Sequence, residues 1–354
     1  MMFGTPYPKK PMYRIDYTKL TEQDIAGKLA GPALRGPASA SPLSDEFKGE
    51  TLRIVTDKGP TLTYSFKGAN KLTVSEGKGR SVQAGYGALT LDHVCFFAHM
   101  IPGTMRGYAT IIDRDSGLAT VFELWFAGYK DKREVMREIY QGYVDRPGRA
   151  APTARHVFTN RIEGKGFYWK QDAGAETLEF YPSTTYSHFV ELSRQGGELG
   201  YSAPSDYIKI NDELYIYTRT EAEFSGTFTI YVMDLNRAEQ VGLRLGFDVD
   251  DKLEYYVFRG QGEWLGQLAT FEKFGDVSGG PMMPRPGSAG QPAGVAVPTK
   301  GARGIYRPAL TMTKMTKAEM AEAVAKNTRV FAPRIGAGSG AAGMAGNGAP
   351  PSDW

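Results

Sequence analysis

Short runs of alternating apolar and polar residues, cut by glycine turns, dominate this chain, and that pattern leaves little room for anything but antiparallel β-structure. Thr51-Leu52-Arg53-Ile54-Val55 is followed by Lys58-Gly59-Pro60, then by Thr61-Leu62-Thr63-Tyr64-Ser65-Phe66 and Lys67-Gly68-Ala69-Asn70. Side chains in a strand change face at every residue, and loops this short return the chain antiparallel to itself. The alternation continues through Leu91–Met100, Gly107–Asp113 and Leu118–Phe126, and resumes from Leu178 to about Phe271. Between them, Asp131–Tyr140 sets Val135 with Ile139 and Met136 with Tyr140 at helical spacing behind a capping Asp131, so a helix is expected over 131–143.

The two β-rich stretches share landmarks in the same order. Gly85-Tyr86-x-Ala88 recurs as Gly200-Tyr201-x-Ala203, Asp92 before an apolar strand recurs at Asp212, and Ile111-Ile112-Asp113 recurs as Val232-Met233-Asp234. A duplicated β-domain follows from that order. The expected divisions are a wrapping segment over 1–46, a first barrel with its helix over 47–145, a second barrel over 146–275, and a Gly/Pro-rich extension over 276–354 with a helix near 316–328.

Composition narrows the function. Lys plus Arg is 42 against 39 Asp plus Glu, an excess of three spread along the chain, which argues against nucleic acid as a partner. No apolar run approaches the roughly 20 residues of a membrane span, and the first residues lack a signal-peptide pattern. With a single cysteine, Cys95, these features suit the cytoplasm and no membrane partner. Four histidines leave little for a multi-histidine metal site, and the literal G-x-G-x-x-G at Gly338–Gly343 lacks the strand and helix that would make it a phosphate loop. No metal or other cofactor is expected.

Candidate site residues come from strand parity. In Glu213–Glu221, Tyr215, Tyr217, Arg219 and Glu221 share one face, while Leu214, Ile216, Thr218 and Thr220 share the other. In a closed barrel both faces are covered, so the phenol, guanidinium and carboxylate face can line an interior. In Thr184–Val190, Tyr186 and His188 share a face. Glu221, His188 and Arg219 are the candidate catalytic groups, with Tyr186, Tyr215 and Tyr217 as substrate-binding phenols. In the first barrel, His93, Cys95, Phe97 and His99 alternate on one face; Phe97 and His99 are further binding candidates, and the reach from His93 to His99 is too long for one ion.

Several of these runs resemble a known family. Tyr181–Phe189, Leu214–Glu221 and Val232-Met233-Asp234-Leu235 resemble the C-terminal domain of molybdenum cofactor biosynthesis protein F (MoaF-like) proteins. Phe47–Leu52, Leu62–Phe66 and Arg133–Tyr143 resemble its N-terminal domain, so the likeness spans about residues 45–271. It implies two lipocalin-like (calycin) barrels. The second barrel is also similar to phenolic acid decarboxylases, calycins that cleave a carbon-carbon bond without cofactor; their strand motif ending in Thr-Glu is matched by Thr220-Glu221. Their arginine on the preceding strand has no match in Glu198–Ala203, and Arg219 is the substitute.

The expectation is therefore an all-β protein of two tandem antiparallel lipocalin-like barrels with short accessory helices. Its expected activity is that of a cofactor-independent lyase, acting by carbon-carbon cleavage or decarboxylation on a small aromatic or phenolic compound. The alternative is a non-catalytic carrier of a small hydrophobic ligand. The C-terminal extension offers a surface for homo-oligomerisation.

Overall fold

The computed structural model describes residues 18–36, 39, 42–127, 133–193, 199–221, 226–248 and 251–267, with 295–297 and 305–307. The extension helix expected near 316–328 lies outside these residues. The described chain is almost wholly β, with one helix, α1 (Glu22–Leu29), started by a capping box between Thr21 and Asp24. None of its helices is long and apolar enough to cross a membrane.

After a short strand β1 (Leu34–Arg35), eight antiparallel strands close barrel 1: β2 (Thr51–Thr56), β3 (Leu62–Phe66), β4 (Lys71–Glu76), β5 (Val82–Leu91), β6 (Val94–Met100), β7 (Arg106–Asp113), β8 (Leu118–Ala127) and β9 (Glu134–Val144). A two-residue strand, β10 (Val157–Phe158), precedes barrel 2. Its strands are β11 (Lys165–Gln171), β12 (Glu176–Phe180), β13 (Tyr186–Glu191), β14 (Leu199–Lys209), β15 (Leu214–Glu221), β16 (Thr227–Asp234), β17 (Glu239–Phe247) and β18 (Leu253–Gln267). Pairing of β18 with both β17 and β11 closes the second ring.

Of the helix expected over 131–143, residues 131–132 lie outside the described residues, and from Glu134 on the chain is instead β9, which pairs with β8 from Glu134 to Tyr143 and with β2 from Gly142 to Val144. A spacing of four is even, so Val135/Ile139 and Met136/Tyr140 satisfy a strand as well as a helix. Barrel closure, which local pattern does not encode, decides between them. Strand β11 escaped the pattern because Phe167, Tyr168 and Trp169 are apolar on both parities.

The duplication is legible in the hydrogen-bond register. His99 pairs with Tyr86 and Tyr108, and Arg219 with Ser205 and Thr229; Val94 faces Asp113 as Leu214 faces Asp234. Carried strand by strand around both rings, the pairings stay in correspondence, so the two barrels share one stagger. Asp113 and Asp234 are true equivalents: each carboxylate accepts backbone N–H groups of the turn that follows, from Asp115 and Ser116 in one case and Asn236 and Arg237 in the other. The Gly85-Tyr86 and Gly200-Tyr201 match is coincidental, since the register makes Ser205 the counterpart of Tyr86.

Matching turns also close one end of each ring. Gly49 donates to Phe66 O and Gly164 to Tyr181 O, both glycines at positive φ, placing the buried Phe47 and Ile162 as plugs.

The outer faces of the barrels meet in a single apolar core. Val94, Phe96, Ile111, Phe122 and Phe126 of barrel 1 pack there with Ile208, Ile216, Phe228, Ile230 and Val241 of barrel 2, joined by Ile25 and Leu29 of α1. This explains why the apolar face of β15 points outward. Arg137 of β9 crosses the junction to Asp206 at 2.7 Å and stacks over Phe228. Each interior has its own cluster, around Tyr64, Phe66 and Phe97 in barrel 1 and around Trp169, Tyr181 and Tyr217 in barrel 2.

Candidate active site in the second barrel

With the outer face of β15 committed to the junction, Tyr215, Tyr217, Arg219 and Glu221 point inward. Arg219 is 3% exposed. It donates from Nη1 to Glu179 Oε1 at 2.7 Å and from Nε to Glu221 Oε1 at 3.0 Å, with its guanidinium 3.8 Å from the centre of the Phe189 ring. Arg244 of β17 donates from Nη1 to Glu221 at 2.9 Å and from Nε to Glu254. Two guanidinium groups are thus interleaved with three carboxylates. This satisfied network corrects one expectation: the N–H groups of Arg219 that would clamp an anionic substrate are already engaged by Glu179 and Glu221.

The two carboxylates on Arg219 are shifted in opposite directions. Burial works against the charge of Glu221, but Arg244 and Arg219 outweigh it and hold the group at about 2, a permanent anion. Glu179, 1% exposed, is raised: burial dominates over the pull of Arg219 and the hydroxyls of Tyr181 and Thr177. Tyr181 Oη donates to Glu179 Oε2 and Thr177 Oγ1 to Oε1, each at 3.2 Å. The sequence pattern concealed this buried carboxyl. Within Leu178-Glu179-Phe180 the apolar neighbours invite burial, yet β12 turns Glu179 inward and leaves Leu178 and Phe180 half-buried.

Aromatic rings form the wall. Tyr217 stacks between Tyr207 at 5.5 Å and Tyr231 at 4.8 Å, and Phe167 stacks on Trp169 at 5.2 Å. Tyr217 Oη donates to Ser187 Oγ at 2.7 Å. Burial raises the Tyr217 and Tyr231 phenols, so both are neutral donors over the ordinary pH range. On β16, Thr229 sits in register with both Arg219 and Arg244. Thr229 Oγ1, Tyr231 Oη and the amide atoms of Gln240 are buried without a hydrogen-bond partner. Such groups call for water or a ligand.

His188 and Tyr186 do not join this group. On β13 it is Ser187 and Phe189 that face inward, at 0% and 1% exposure, while Tyr186 is 46% exposed and His188 meets Ser202 at 3.3 Å on the outer face. Both parities of that strand mix polar and apolar residues, so alternation alone did not say which was inside. Tyr215 faces inward but near the plugged end, where its Oη donates to Asp212 O.

Phe97 and His99 lie in barrel 1. His99 occupies the position of Arg219, Tyr64 that of Glu179 and Glu123 that of Arg244, so neutral groups stand where barrel 2 holds Arg219 and Glu179, and a carboxylate stands where it holds Arg244. His99 Nε2 lies 3.4 Å from Tyr64 Oη, and burial lowers the imidazole to about 4. The charges of barrel 1 gather at the rim, where Arg106 grips Glu76 with two N–H groups, at 2.8 and 3.0 Å, and also meets Glu123 and Tyr108. Cys95 Sγ donates to Glu46 and accepts from Arg114 Nε, and burial pushes the thiol up to about 11.

His93 lies in the turn before β6, not in the strand. It groups with Asp113 and Asp115 in a way that could hold a metal, but Asn211 donates to His93 Nε2 at 3.0 Å and Asp113 is occupied by its turn. Those contacts account for the group as turn and junction chemistry.

No known family and no curated protein matches the sequence. Among solved structures, a Burkholderia vietnamiensis protein described as a "putative beta-lactamase" matches 29% of this chain and 94% of its own, at 10% identity and a TM-score of 0.25. At that score the likeness bears on neither fold nor function.

Proposed function

We propose that barrel 2 is the working half of a cofactor-independent lyase that acts by acid/base chemistry on a small phenolic compound. The observation that carries this reading is the convergence, inside one barrel, of the buried carboxyl of Glu179 with Arg219 and with the unpartnered hydroxyls of Tyr231 and Thr229. A substrate bound as its phenolate, its proton given to solvent and its oxygen accepting hydrogen bonds from these hydroxyls, can push electrons through its ring as Glu179 protonates the side-chain carbon next to the carboxylate. The bond from that carbon to the carboxylate then breaks, carbon dioxide leaves, the electron pair returns through the ring to the phenolate oxygen, and Glu179 regains its proton from solvent. Glu221 fixes the two arginines and stays ionised. The resemblance to MoaF-like proteins and to phenolic acid decarboxylases, a cytoplasmic location and a small aromatic partner belong to the same proposal.

The carrier reading draws on a different observation: the ion pairs are internally satisfied and the wall is a continuous stack of rings. Turnover of a panel of para-hydroxylated aromatic acids and alcohols separates the two. The enzyme reading expects turnover of at least one compound and a drop of about 10²–10⁴ in Glu179→Gln. Stoichiometric binding with no turnover across the panel establishes the carrier instead.

A further inference from the structure

The turn that plugs barrel 2 carries a carboxyl group that nothing in the site above uses. Glu163 follows the plug residue Ile162, is 3% exposed, and has its Oε1 buried without a hydrogen-bond partner. Its counterpart in the plug of barrel 1 is Lys48, which is exposed. The two turns are otherwise built alike: Glu163 N donates to Asn160 O as Lys48 N does to Asp45 O, and Gly164 N to Tyr181 O as Gly49 N does to Phe66 O. One barrel is therefore stoppered by a turn with its charge in water, the other by a turn with a carboxyl tucked inside.

Among the described residues, no ion pair reaches that carboxyl. Within its own turn, Lys165 Nζ is turned back to Arg161 O at 2.6 Å. From the wall, Tyr207 of β14 is a titratable group within electrostatic reach of Glu163, and its phenol, raised by burial, is neutral and donates to Tyr186 O. An ionised carboxylate with a buried, unpartnered oxygen is strongly disfavoured, so the seated turn favours the neutral acid.

We propose that the Asn160–Gly164 turn is a proton-operated stopper of barrel 2: it seats while Glu163 is neutral and releases as Glu163 ionises, opening the end of the barrel beneath Tyr207 and Tyr181. This holds whether the interior performs chemistry or only carries a ligand. Burial alone lifts Glu163 to about 7, which places the release near neutral pH. A group raised from 4.5 to about 7 stabilises the seated turn fully below 4.5 and loses that contribution as pH climbs through 7; between pH 5.5 and 8.5 the open population grows about 30-fold.

Hydrogen–deuterium exchange of the full chain, read on peptides covering 159–166 and 44–51 from pH 5.5 to 8.5, tests this, with the barrel 1 turn as the internal correction for intrinsic exchange rates. The wild-type 159–166 segment is expected to lose about 30-fold in protection relative to 44–51. Glu163→Gln and Glu163→Leu should both hold that ratio constant, and two neutral replacements guard against one that packs badly. A wild-type ratio that does not change with pH overturns the proposal, as does a neutral variant that reproduces the wild-type profile.

Discussion

Replacing Arg219 by methionine puts a number on the network inside barrel 2. The side chain supplies bonds of 2.7 Å to Glu179 and of 3.0 and 2.9 Å to Glu221 while almost fully buried. Glu221 keeps Arg244 in the variant, but Glu179 is left in an apolar, aromatic interior with only the hydroxyls of Tyr181 and Thr177. Breaking a buried pair in this way costs about 3–5 kcal/mol. The cost depends on pH. Glu179 is already raised by burial, and without Arg219 it rises further, so its penalty is absent below the ordinary carboxylate range and grows as pH increases. Urea unfolding followed by tryptophan fluorescence should show the full loss at pH 8 and a much smaller one near pH 5. Adding Glu179→Gln should restore about 1–3 kcal/mol relative to additivity at pH 8. A loss under about 1 kcal/mol, or an equal loss at both pH values, would refute the claim that Arg219 neutralises a buried carboxylate.

Three further outcomes follow. Arg137→Ala removes the guanidinium that ties β9 to Asp206, so it should cost about 2–4 kcal/mol and lower the urea midpoint of both barrels together; separate transitions in wild-type protein would contradict a shared core. His99 and His156 are each held by burial at about 4, so their neutral forms favour the fold above about 6.5 and that contribution is lost as pH falls toward 4; His156→Gln should flatten part of the acid limb in urea midpoints taken at pH 4.5 and 7. His188→Ala, on the outer face, should leave turnover and ligand affinity unchanged, whereas a large loss in either would return His188 to the site.

Alternation made the two barrels and the face of β15 readable from sequence, because a strand shows its buried faces as a period of two wherever the two faces differ in chemistry. It failed where they do not differ. Strand β11 is aromatic on both sides, and β13 is mixed on both, so its pattern does not tell the His188 and Tyr186 face from that of Ser187 and Phe189, which is the inner one. Strand β9 looked helical because even spacings serve both periods. Glu179 was hidden for a further reason: its burial depends on Arg219, 40 positions away, and no local pattern reports a partner at that distance.

The central claim is that the ligand sits in barrel 2, and a structure of the protein bound to a para-hydroxylated aromatic compound tests it most directly. The account predicts the ring among Tyr217, Tyr231 and Phe189, with its hydroxyl within hydrogen-bond distance of Tyr231 Oη or Thr229 Oγ1. A ligand found instead beside His99 in barrel 1, with the barrel 2 interior unchanged, would contradict it.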